Sequence, residues 1–178
     1  MPLIKDGKTV SHDWSFASEI GDQPISGDVV IGLIDLIAKG DAAFARKGRL
    51  GVALPNDADL GLIAARLNQI DLITIDFPNF ADGRGFSLAH EVRQTHGFKG
   101  ELWASGALIP DQYVFARSCG FDAVIVSDER FARQGEEGWA EAADALKLRY
   151  QTSHGFYTGA PQSIMALRGQ ARLQEAAE

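Results

Sequence analysis

Two carboxylates, one guanidinium and two glycines share the string Asp76-Phe77-Pro78-Asn79-Phe80-Ala81-Asp82-Gly83-Arg84-Gly85-Phe86-Ser87. Gly83 and Gly85 let backbone approach a ligand closely. The helix expected from about Ser87 offers free N–H groups and the positive end of its dipole. Arg84 adds a planar fork suited to carboxylate, phosphate or sulfate. Gly83, Arg84, Gly85 and Ser87 are therefore a candidate anion-binding set. The same residues have a plainer reading, in which Asp82 and Ser87 cap turns and Arg84 pairs with Asp76 or Asp82. The spacing is neither a Walker loop nor a dinucleotide fingerprint.

Asp111 and Gln112 open a later helix. If that helix and the first string meet at one sheet edge, Asp76, Asp82, Arg84, Asp111 and Gln112 form one polar pocket. No residue receives a catalytic role from this pattern. Cys119 is the single cysteine and precedes a helix-ending glycine, which disfavours a thiolate. His90 and His96 are six apart and do not share a helical face. No metal site and no cofactor are expected. Arg117 reads as a surface ion-pair partner, and Trp14, Trp103 and Trp139 as packing anchors.

The elements that must position these groups alternate along the chain. Apolar runs at Leu50-Gly51-Val52-Ala53-Leu54, Leu72-Ile73-Thr74-Ile75, Leu102-Trp103-Ala104 and Ala123-Val124-Ile125-Val126 read as strands. Helices are expected over 57–68, with Asp57 as its cap, and over 87–95, 111–118 and 136–150. A further short strand at 29–31 is followed by a helix over 33–39. Such repetition predicts crossover connections and an α/β fold, with a mainly parallel sheet of four to five strands. A closed eight-stranded barrel needs a longer chain. A partial TIM-barrel-like sheet is the preferred solution, and an open doubly wound three-layer sheet the alternative.

Asp6-Gly7 between two short apolar runs predicts a hairpin. The domain organisation reads as an N-terminal hairpin and arm over 1–28, an α/β domain over 29–153 and a helical tail over 154–178. Hairpin and tail carry apolar residues beyond the needs of one core, which predicts a homodimer. The chain has 178 residues, with 17 Lys plus Arg against 24 Asp plus Glu, a net charge of −7. That balance repels nucleic-acid backbones. No apolar run approaches the ~20 residues of a membrane span, and a cytoplasmic location is expected.

The 76–87 string resembles the signature of a bacterial family, domain-of-unknown-function family nine-three-four. The likeness continues through Gly97-Phe98-Lys99-Gly100-Glu101-Leu102-Trp103-Ala104, Asp111-Gln112 and Arg117-Ser118-Cys119-Gly120-Phe121-Asp122-Ala123. The family carries an oxidoreductase label and sits in genomes beside assimilatory sulfite reductase. The resemblance therefore implies an accessory role in sulfite reduction, with the reductase or its electron donor as partner. The other implied reading is an enzyme binding a small anion at the 76–87 loop. Trp103, Ala107 and Ser118 stand where family members tend to carry charged groups, which removes chemistry from the third-strand loop.

Overall fold

The computed structural model describes residues 1–17 and 27–145, with short strands at 148–149 and 162–163. Eight strands form one sheet: β1 Leu3–Lys5, β2 Lys8–Val10, β3 Ser15–Phe16, β4 Val29–Gly32, β5 Leu50–Leu54, β6 Leu72–Phe77, β7 Glu101–Gly106 and β8 Ala123–Ile125. The helices are α1 Leu33–Lys39, α2 Asp41–Phe44, α3 Arg84–Gln94, α4 Pro110–Cys119 and α5 Asp128–Ala145. β9 Leu148–Arg149 and β10 Gln162–Ser163 pair separately in parallel. The helical tail expected over 154–178 lies outside the described residues, β10 apart.

The sheet order is β2-β1-β8-β7-β6-β5-β4-β3, and every pairing from β3 to β8 is parallel. Sequence neighbours are therefore spatial neighbours throughout that run. Right-handed crossovers that always step the same way put every helix on one face. This single winding curls the sheet into a half barrel and excludes the doubly wound alternative, which requires a reversal of strand order. The sheet has eight strands rather than the four or five expected, because the hairpin and the short β3 and β4 join it.

Side-chain alternation divides the strands accordingly. Ile31, Val52, Leu54, Ile73, Ile75, Phe77, Leu102, Ala104 and Val124 meet the helices in the larger core. Val30, Leu72, Trp103, Ala123 and Ile125 face the other way, where Trp14, Phe16 and Leu3 join them. The helices thus cover the convex face alone, and the N-terminal segment crosses the concave one.

The hairpin turn forms as its residues dictate, with positive φ at both Asp6 (51°) and Gly7 (76°). β1 then pairs antiparallel with β8, placing Leu3 opposite Ile125 and burying Leu3 and Ile4 in the chain's own core. The helix expected over 57–68 is instead two 3-10 segments, η1 Leu60–Leu62 and η2 Ala64–Gln69. Asp59 accepts from the Gly61 N–H, a local bond that competes with α-helix propagation. Leu60, Ile63 and Leu67 are buried nonetheless. α5 begins at Asp128, ahead of the expected 136, because Ser127 caps it by accepting from the Arg130 N–H. The later start is marked by a kink at Gly135.

Candidate functional site

α3 begins at Arg84, three residues earlier than expected, so Arg84, Gly85 and Ser87 belong to its first turns. Asp82 accepts from the Arg84 N–H at 3.2 Å, occupying one of the donors a helix start leaves free. Each guanidinium nitrogen is engaged as well. Arg84 Nε and Nη2 donate to Asp82 at 3.0 and 2.8 Å, and Nη1 donates to Asp57 at 3.1 Å. The Arg84 guanidinium beside it holds the Asp82 carboxyl well below the usual carboxylate range, with Asn56 adding to the effect. The anion that this helix start holds is the protein's own Asp82.

Gln112 joins the same cluster through the main chain. Its amide donates to the Phe80 carbonyl at 2.7 Å, tying the loop before α3 to the first turn of α4. Asp111 points elsewhere, into a shallow cavity with Pro110, Val114, Gly138 and Glu141 on the α4–α5 side. Asp76 follows the alternation of Leu72 and Thr74 and so lies on the concave side of β6, in register with Ser105. The structure thus gathers Asp82, Arg84 and Gln112 on one flank and leaves Asp76 and Asp111 on two others.

Asp76 carries an electrostatic cost. Its Oδ1 lies 2.9 Å from the position a Cβ would take on Gly106, so neighbouring backbone crowds it even though the residue keeps exposed surface. Burial pushes its carboxyl up, partly countered by the Phe77 N–H. A carboxyl raised in the fold disfavours the ionised native state, and the cost is present above its folded pKa. It is relieved as pH falls towards the ordinary 3.8. An Asp76→Asn variant is expected to melt above the parent at neutral pH. The gap should narrow as the pH is lowered to about 4, as thermal melting across that range will read. A gap that widens on acidification contradicts the assignment.

The residues that sequence reading passed over are of two kinds. Phe80 and Phe115 are each 57% exposed, and Phe115 packs on Phe86 with ring centroids 4.9 Å apart. Both flank the Arg84 cluster, one on its loop and one on α4. The signal available was an aromatic residue inside a polar loop. Asp57, expected to be a helix cap, is instead the second partner of Arg84.

The second group lies at the opposite edge, where the parallel strands begin. There Asp28 accepts from the Arg49 N–H at 2.8 Å, Asp71 from the Leu50 N–H at 3.0 Å, and Asp122 from the Leu102 N–H at 2.8 Å. Each carboxylate precedes one strand and accepts an N–H at or beside the start of its neighbour. Among the described residues no three His, Cys, Asp or Glu side chains gather to hold a metal, and no helix is long and apolar enough to cross a membrane.

Residues 51–157, more than half of the chain, match the family described as "Bacterial protein of unknown function (DUF934)". The matched span includes the whole 76–87 string, β5 from Gly51 onward, β6 to β8 and α3 to α5. No curated protein matches the chain.

Proposed function

We propose, from the premise that the chain belongs to this bacterial family of unknown function, that it serves as an accessory protein of assimilatory sulfite reduction and docks on the reductase or its electron donor. The observation that carries this reading is the flank built by Phe80, Phe115 and the Arg84 cluster. Exposed aromatic rings beside an arginine are the composition of interface anchors rather than of a solvated surface. The Gln112–Phe80 bond holds the loop in place, so little ordering is required on docking. The family's setting beside sulfite reductase supplies the partner.

The small-anion enzyme reading has less support, because each guanidinium nitrogen of Arg84 already donates to a carboxylate. Exposed ion pairs are weak, about 0–1 kcal/mol, so the cluster can rearrange on a protein surface. The homodimer belongs to the same reading. Ile34 and Ile37 of α1, 82% and 51% exposed, offer it an apolar face in place of the hairpin, which the chain's own sheet uses.

A tagged chain purified from sulfate-grown cells is expected to recover the reductase or its donor. A Phe80→Ala/Phe115→Ala variant should recover at least about tenfold less while keeping its melting temperature, since each anchor ring contributes on the order of 1–2 kcal/mol. Equal recovery by parent and variant removes the flank as the docking surface. A retained small anion with no partner protein favours the enzyme reading.

A further inference from the structure

We propose that the cleft at the N-terminal edge of the sheet, opposite the Arg84 cluster, binds a small molecule through a tetrahedral oxyanion, with Lys5, Arg49 and Lys99 as donors. The cleft has a volume of about 550 Å³, within the range of small-molecule sites. Five cations line it, Lys5, Arg49, Arg93, Lys99 and Arg117, against the three carboxylates Asp71, Glu101 and Asp122. That local excess stands out in a chain whose net charge is −7.

The hydrogen bonds sharpen the asymmetry. Asp71 and Asp122 each hold a strand N–H, and Glu101 accepts from the Trp103 indole N–H at 2.7 Å. The carboxylates are thus committed to the fold. Arg93 is a strut, donating to three carbonyls and Asp122. Lys5, Arg49 and Lys99 differ. Lys99 is exposed and makes no polar contact among the described residues. The Lys5 ammonium has three N–H groups and one contact, to Glu101 at 3.4 Å. Arg49 spends Nε and Nη2 on Asp28, with its plane over the Trp14 ring, and keeps Nη1. Cationic side chains with N–H groups to spare line one cleft here, while each carboxylate already accepts from the fold, which is the condition for charge-assisted anion binding. A concave wall further concentrates the field.

The test uses the purified full chain with inorganic phosphate and sulfate as probes, titrated by calorimetry at constant ionic strength. The parent should bind both in the millimolar range or tighter. Lys99→Glu should weaken binding by about tenfold or more with an unchanged melting temperature, because the side chain makes no contact the fold uses. Lys5→Gln should weaken it less. Arg84→Ala, at the other edge, should bind as the parent does. No binding by the parent, equal binding by Lys99→Glu, or loss of binding in Arg84→Ala each overturns the proposal. No partner protein is present in this assay, so its outcome is separate from that of the docking experiment.

Discussion

Replacing Arg93 with alanine is expected to lower folding stability by about 3 kcal/mol. Its side chain is only 11% exposed. Nε donates to the Gly120 carbonyl at 3.0 Å, and Nη1 donates to the Phe98 and Gly100 carbonyls at 2.8 and 2.9 Å. Nη2 reaches Asp122 at 2.6 Å, and the plane lies 5.5 Å from the Phe98 ring centroid. One side chain therefore fastens the end of α3 to the segment before β7 and to the α4–β8 connection. Truncation leaves three carbonyls short of a donor and Asp122 without its cation. Asp122 also accepts from the Leu102 N–H, the second of β7, so the strand start loosens with it. Urea unfolding should show a lower midpoint with an unchanged slope. Arg93→Lys should recover less than half of the loss, because a single ammonium cannot span four acceptors. A loss below about 1 kcal/mol would show that water replaces the strut at little cost.

Phe77→Ala should lose still more, about 4 kcal/mol. Phe77 is 1% exposed at the end of β6, with ring centroids 4.8 Å from Phe86 and 5.8 Å from Phe121. Its ring fills the space above Gly85, where an added Cβ would sit 2.5 Å from Phe77 Cζ. The missing side chain at Gly85 is what lets α3 lie against the strand. Gly85→Ala alone should therefore destabilise by overpacking, by about 1–3 kcal/mol. The two sites must couple. Phe77→Ala/Gly85→Ala should be less destabilised than the sum of the single variants, since the new methyl enters the space the ring vacates. Strict additivity in chemical denaturation would mean that α3 moves away from the sheet rather than packing through this contact.

These contacts mark the boundary between local and tertiary information. Period-2 and apolar-run patterning located β5 to β8, since a strand buried on both faces must be apolar along its length. Asp6-Gly7 located the hairpin, because type I′ geometry needs positive φ at two successive residues. The cluster around Arg84 was half legible. Asp82 is two residues away, within reach of local reasoning, whereas Asp57 is 27 residues away and was assigned a local cap. The expected start of α3 at Ser87 left Arg84 and Gly85 in a loop, and that placement made an open anion site of a helix turn already capped by Asp82.

By itself the sequence determined the four central strands, β5 to β8, and the turn of the hairpin, because those properties arise within a few residues of backbone geometry and burial. Only the tertiary structure decided that the strands wind in one direction. That choice puts every helix on the convex face and leaves Asp76 on the concave side, away from Arg84. It also decided that β1 closes on β8 and that Asp28, Asp71 and Asp122 cap neighbouring strands. Strand partnership and side-chain commitment are non-local: the short segments carry similar patterns and could pair in several orders. The order is selected by crossover handedness and by which arrangement satisfies every buried N–H and covers both faces of the sheet at once.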